Sequence, residues 1–168
     1  MARLKYRARG FTLLEVLIVT ILIALIAGVT VPRFFGSIDK AEIRKNAGEI
    51  AAFMKSARRK AVAEKKVVTV VLDSETGEIF AVLGRYDRSN KQDRIAPKNI
   101  SENVRLWTGG KKILTIEFNP SGTAAGGKIY VTGAEGQSPF NEDALLVSIN
   151  PLSGKIIVTA VNDKDEKW

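Results

Sequence analysis

The sequence predicts an α+β fold, with one long N-terminal helix packed on an antiparallel β-sheet. Three observations predict it. Residues 11–31 form an apolar run whose only charge is Glu15. Farther on, Ile43, Ala47, Ile50, Met54, Ala57 and Ala61 recur at alternating spacings of four and three, the stripe of a helix with one apolar face. From Val67 onward, apolar residues come in short β-branched runs broken by Asn, Asp, Gly and Pro.

The first element, residues 1–10, is basic. Arg3, Lys5, Arg7 and Arg9 lead to Gly10, and the apolar run starts at Phe11. Residues 11–32 have the length of a membrane-crossing helix. A basic flank of this kind belongs on the cytoplasmic side, with the rest of the chain across the membrane. Glu15 needs a reason to be there. An acidic side chain at the centre of a membrane helix costs roughly 2.5–3.5 kcal/mol, and less near an end where it reaches the headgroups. A secretory signal peptide fits poorly. Its apolar core is shorter, roughly 7–15 residues, and ends at a small-residue cleavage site. Here only residues 24–28 offer such a site, and Glu15 interrupts the core. No second apolar run of membrane length follows.

Residues 33–66 read as an amphipathic helix. Gly28 and Pro32 are expected to kink or loosen the chain where the apolar run ends, with Ser37 or Asp39 capping a restart. Lys40, Arg44, Lys45, Lys55, Arg59 and Lys60 occupy the faces away from the apolar stripe. If helical from Phe11 to about Glu64, the rod is roughly 80 Å long at 1.5 Å per residue.

Residues 67–168 read as the β-rich part of the same domain. Residues 67–72 and 78–83 flank a turn at 73–77, a hairpin signal. Residues 85–101 are polar, lack periodicity and read as a long loop. Further strands are expected at 104–107, 113–118, 128–132, 144–149 and 155–161. Asn119-Pro120-Ser121-Gly122 and Asn150-Pro151-Leu152-Ser153-Gly154 are turns between them. Gly109-Gly110-Lys111 and Gly126-Gly127-Lys128 lack phosphate-loop spacing and read as hairpin turns. Residues 162–168 are a charged tail.

Composition restricts the chemistry. The chain has 168 residues, no cysteine and no histidine. That removes disulfides, thiol chemistry, the commonest general base and the commonest metal ligand. No catalytic set is clustered, so the chain is not read as an enzyme, and no cofactor or metal is expected. Asp163, Asp165 and Glu166, like Asp73, Glu75 and Glu78, supply oxygen donors but lack the glycine-centred loop of a calcium motif. The net charge of +8 is uneven. Four of the positive charges lie in residues 1–10. Residues 33–105 hold 16 Lys/Arg against 10 Asp/Glu, and residues 106–168 hold 6 against 7.

The junction Gly10-Phe11-Thr12-Leu13-Leu14-Glu15, its basic flank, the apolar run and Pro32 resemble the processing site of type IV pilin-like proteins. The resemblance implies that a prepilin peptidase cuts between Gly10 and Phe11 and N-methylates Phe11. It also implies that Glu15 then pairs with the N-terminal amine of a neighbouring subunit. Residues 57–62, the turn at 118–123 and the segment 148–156 are similar to the GspH/FimT branch, minor pseudopilins of type II secretion and minor pilins. That implies a bacterial inner-membrane protein with a single pass, its N-terminus cytoplasmic and its C-terminal domain periplasmic. Its partners would be the peptidase, the membrane and other pseudopilin or pilin subunits, in a filament for protein export. The alternative is a FimT-like minor pilin of a type IV pilus or a DNA-uptake filament.

Some FimT-like members bind DNA through arginines near the C-terminus. This chain has no arginine after Arg105, and the corresponding turn reads Ser153-Gly154-Lys155-Ile156-Ile157-Val158. DNA affinity rests on neutralising phosphates, so nucleic acid is not an expected partner of this end. The denser basic cluster is Lys55, Arg58, Arg59, Lys60, Lys65 and Lys66. It reads as a solvated helix face or a contact to acidic neighbours, and no flanking aromatic offers a base-stacking platform.

Overall fold

The computed structural model describes residues 11–90, 92–134 and 143–161, and within residues 27–39 the backbone only. The chain divides into two compact units, Met1–Ile38 and Asp39–Trp168. Helix α1, Leu13–Glu64, is followed by eight strands: β1 Val68–Asp73, β2 Glu78–Leu83, β3 Ile95–Asn99, β4 Val104–Trp107, β5 Ile113–Phe118, β6 Gly127–Gly133, β7 Leu145–Ile149 and β8 Ile156–Ala160. The α+β class read from the sequence is the observed one.

Helix α1 is assigned without a break past Gly28 and Pro32, so the restart expected at Ser37 or Asp39 is absent. A proline forfeits one backbone bond and crowds one carbonyl, and bonding on either side carries the helix on. The helix ends at Lys65, whose φ of 52° is left-handed, and Lys66 N–H returns to the Ala61 carbonyl at 3.2 Å. This is a Schellman-type closure without the usual glycine.

The strands form two four-stranded antiparallel sheets, ordered β3-β2-β1-β5 and β4-β6-β7-β8. The sequence reading had a single sheet. Strand periodicity reveals which face is buried but not which strand pairs with which. The chain crosses between the sheets at β3–β4, β4–β5 and β5–β6. The glycine turns at 109–110 and 126–127 therefore join strands of different sheets and are not hairpin turns. Residues 85–101 also depart from the expected loop, because 95–99 pairs with β2 across a bulge at Ile79/Ala81. Pro97 sits in this strand, which is tolerated because β3 is an edge.

All six residues of the helical stripe are buried, and Ala51 joins them. They share one core with Val68, Val70 and Leu72 of β1, Ile116 and Phe118 of β5, Ile129 and Val131 of β6, and Val147 and Ile149 of β7. The period of two in each strand sends alternate side chains to this core. Full burial of an aliphatic side chain contributes about 1.5–3 kcal/mol, so the stripe is a main source of stability. Asn46, beside the stripe on α1, is a buried polar residue. Its amide donates to the Glu42 carbonyl at 2.9 Å and its oxygen accepts the Ser101 N–H at 3.2 Å.

Arg58 clasps the two Asn-Pro turns. Its Nε donates to the Gly122 carbonyl at 2.8 Å and its Nη2 to the Ser153 carbonyl at 3.0 Å. The turns also touch each other, with Ala124 N–H donating to the Pro151 carbonyl at 3.1 Å. Gly154 has a φ of 60°, and a Cβ there would lie 2.0 Å from the Gly122 carbonyl oxygen. Only glycine meets both conditions. Replacing Arg58 with Ala is expected to cost about 2 kcal/mol in denaturant unfolding, with Lys recovering only part, because two charge-assisted bonds to separate carbonyls are lost. An unchanged midpoint would show that the clasp does not hold the turns.

Asp73 closes the β1–β2 turn by accepting the N–H groups of Glu75 and Thr76 at 2.9 and 3.2 Å. Burial pulls its pKa upward, but those two amides, the Thr76 hydroxyl and the charge of Arg88 outweigh it and hold the pKa below the usual value. The charged form thus favours the fold. The turn's stabilisation is present above the unfolded pKa of about 3.9 and is lost as pH falls through the lower folded pKa. NMR titration of the Asp73 carboxyl is expected to show a midpoint below about 3.9.

Candidate assembly site

The N-terminal segment begins with Phe11 and Thr12 ahead of α1. Thr12 is the N-cap. Its hydroxyl oxygen accepts the Glu15 N–H at 3.2 Å, and its carbonyl accepts Glu15 and Val16 N–H at 3.1 and 3.2 Å. Glu15 lies in the first turn, where a carboxylate is favoured by the helix dipole. Thr12-x-x-Glu15 is the spacing of a capping box, a signal that the sequence reading passed over. Glu15 thus has a local role in starting the helix as well as the role expected of it in assembly.

The rest of this segment is apolar on every side. Leu13, Leu14, Val16, Leu17, Ile18, Val19, Ile21, Leu22, Ile23, Leu25 and Ile26 are all exposed, as is Phe11 at 82%. A helix apolar all round is buried in a large assembly or in lipid. Among the described residues no helix is long and apolar enough to cross a membrane, and the described side chains of the apolar run stop at Ile26. Gly10 and the rest of residues 1–10 lie outside the described residues, as do Asp163, Asp165 and Glu166. The structure therefore positions Phe11 and Glu15 but not the cleavage junction.

The basic helix end is partly committed to the fold. Arg58 holds the turns, and Lys60 pairs with Glu64 one turn on. Lys55, Arg59, Lys65 and Lys66 remain on the exposed surface. The carboxylates near the first hairpin are also engaged: Glu75 pairs with Lys112 at 2.8 Å and Glu78 with Arg94 at 2.7 Å. Among the described residues no group of three potential metal ligands comes together.

A cleft of about 310 Å³ opens on the face of the first sheet that looks away from α1. Phe80 and Tyr86 meet edge-to-face at 5.9 Å, and the Arg94 guanidinium stands 4.4 Å from the Phe80 ring centre. Arg88, Ser89, Asn90 and Gln92 complete the lining. The described lining contains no carboxylate.

Comparison with known proteins bears on both parts of the chain. Residues 5–31 match the prokaryotic N-terminal methylation motif, and residues 46–154 match the family described as type II transport protein GspH. The chain belongs to the GspH family. Similar folds occur in the minor pseudopilin EpsH of the type 2 secretion system of Vibrio cholerae and in the type IV minor pilin FimU of Pseudomonas aeruginosa. EpsH is 13% identical, with a TM-score of 0.56 over 71% of this chain and 97% of that one. FimU is 14% identical, with a TM-score of 0.56 over 71% of this chain and 89% of that one. A curated relative, the type II secretion system core protein G of Pectobacterium carotovorum subsp. carotovorum, is 38% identical over 47 residues. The match spans 30% of that relative's length. The GspH family and its prepilin motif are those of structural, membrane-anchored pilus-type subunits. The pilin-like fold expected from the sequence is the one these structures share.

Replacing Thr12 with Ala removes the cap and is expected to destabilise the first turn by about 1 kcal/mol. Amide exchange at residues 14–16 should quicken while exchange in β1 and β6 stays unchanged. Equal protection at 14–16 would show that the Thr12 hydroxyl does not cap the helix.

Proposed function

We propose that this protein is a minor pseudopilin of a type II secretion pseudopilus. A prepilin peptidase cuts between Gly10 and Phe11 and methylates the new amine on Phe11. The protein is stored in the bacterial inner membrane as a single-pass subunit, with its C-terminal domain in the periplasm. It then joins other pseudopilin subunits in a filament that assists protein export.

The observation that carries this reading is the exposed apolar stretch of α1 with one carboxylate at its start. Among the described residues nothing covers Leu13 to Ile26, and lipid or neighbouring helices would supply their burial. Moving from lipid to a bundle of helices gives little hydrophobic gain, because lipid tails are as apolar as leucine. Packing and polar pairs then decide assembly, and Glu15 beside a neighbour's N-terminal amine is such a pair. A charge pair in low dielectric is held by its partner, and a lone carboxylate there is costly. The pairing thus selects the assembled state over the stored one.

The second reading, a minor pilin of a type IV pilus or a DNA-uptake filament, is favoured by the equal structural likeness to FimU. The commitment of Arg58 to the turns and the arginine-free stretch after Arg105 weigh against a DNA-binding version.

Replacing Glu15 with Gln keeps the side-chain size and a hydrogen-bond acceptor but removes the charge. Membrane insertion and leader removal, read by intact mass, should be normal. Recovery in sheared filaments should fall by about tenfold or more, and export of the secreted cargo should fall with it. The Thr12→Ala chain, which loses only the cap, should still be incorporated. Normal incorporation of the Gln variant would contradict the pairing. A defect in surface pili with normal export would favour the second reading.

A further inference from the structure

The two sheets have four edges, and three of them are blunted. Strand β3 carries Pro97, Lys98, a bulge opposite it and a left-handed Ala96 at φ 48°. Strand β5 is capped by its own chain, with a bridge from Phe118 to Ala124 and Ala125 N–H donating to the Glu117 carbonyl at 3.0 Å. Strand β4 is four residues long and carries Arg105. Among the described residues, strand β8 has none of these devices. Its sequence, Ile156-Ile157-Val158-Thr159-Ala160, contains no charge, proline, glycine or bulge. Natural proteins usually protect such edges, so an open one is a template for pairing.

The register shows which groups are open. Asn150 N–H bonds to the Lys155 carbonyl and Val161 N–H to the Ala144 carbonyl, which fixes the phase of the β7–β8 ladder. Alternation along an antiparallel pair then points Ile157 and Thr159 at β7. Ile156, Val158 and Ala160 present their N–H and C=O groups outward. Ile157 and Val158 remain 40% and 38% exposed.

The space beside this edge has a definite character. At one end Ala160 shares a pocket of about 100 Å³ with Arg44 and Lys40 of α1 and with Asp143, which pairs with Lys40 at 2.9 Å and leaves Arg44 as the cation free of that pair. At the other, Arg58 reaches the Ser153 carbonyl just before β8. Arg44, Gly48, Ala51 and Lys55 follow at helical spacing along the same flank. Gly48 is exposed, and a Cβ there would meet nothing within 4 Å. A glycine inside a helix weakens it, and among the described residues no close contact requires this one, yet it leaves room beside the edge. A strand added to β8 would therefore lie against a basic helix flank.

We propose that the β8 edge receives an extended, acidic segment of a neighbouring filament subunit as an additional strand of the second sheet. Backbone bonds to Ile156, Val158 and Ala160 would set its register. Carboxylates on the side facing α1 would meet Arg44 and Lys55, and apolar side chains on the opposite side would cover Ile157. The occupant's identity as a filament subunit rests on the proposed function; the edge and its chemistry do not.

The test uses the full chain in detergent micelles with two probe peptides, acetyl-Val-Glu-Val-Glu-Val-Glu-Val-amide and its Lys counterpart. Hydrogen exchange at Ile156, Val158 and Ala160 should slow with the Glu peptide, and the Lys peptide should bind about tenfold more weakly. Val158→Pro removes an outward N–H without touching a ladder bond, and should abolish the protection. Val158→Lys places a blunting charge on the edge and should weaken binding if the proline variant does not fold. Unprotected outward amides, equal binding of the two peptides or unchanged binding by a folded variant would each overturn the proposal. Because no filament enters the readout, a negative result leaves the Glu15 experiment intact, and a failure of that experiment leaves this one readable.

Discussion

The burial of one face of α1 is the constraint on which the rest of the fold depends. Ala47, Ile50, Met54 and Ala61 are almost wholly buried and contact strands of both sheets in a single core. The two sheets have no strand in common. They are held as one body by this helical face, by Asn46 bonding to Ser101 and by Arg58 bonding to both Asn-Pro turns. The small residues Ala47, Ala57 and Ala61 in the stripe let sheet side chains approach the helix closely.

Within the same helix, the segment from Leu13 to Ile26 has the opposite character. Its apolar residues point in every direction, and among the described residues nothing covers them. One sequence thus holds a helical face that is satisfied internally and a helical segment that needs other molecules. That division is the physical basis for reading the protein as a subunit. It also gives Glu15 two roles, one local in the first turn of α1 and one proposed between subunits. The helix dipole accounts for a carboxylate in the first turn of any helix. It does not account for placing one at the head of a segment that is apolar on every side.

Much of this was legible in the sequence. The spacing of Ile43 through Ala61 identified the buried face residue by residue, because a period of 3.6 is a direct imprint of one-sided packing. The strands announced themselves by β-branched runs between turn residues. Strand β3 did not, since Ala96, Pro97, Lys98 and Asn99 carry no apolar alternation and a half-exposed edge requires none. The division into two sheets was hidden because pairing is a relation between distant segments. Arg58 was read as one charge in a basic cluster, and nothing local reveals that its partners lie 64 and 95 residues away. The Thr12 cap is legible in the Thr-x-x-Glu spacing, although it lies inside the motif that also carries the processing signal.

The proposed assembly rests on the Glu15 carboxylate meeting an N-terminal amine from another subunit in the filament. Mixed-label solid-state NMR tests it directly. Filaments would combine this chain, carrying ¹³C-labelled glutamate, with other subunits labelled with ¹⁵N at the N-terminal amine. A dipolar contact is expected between the Glu15 carboxyl carbon and a neighbour's amine nitrogen, consistent with an ion pair of about 4 Å or less. A filament that contains the chain but shows no such contact would contradict it.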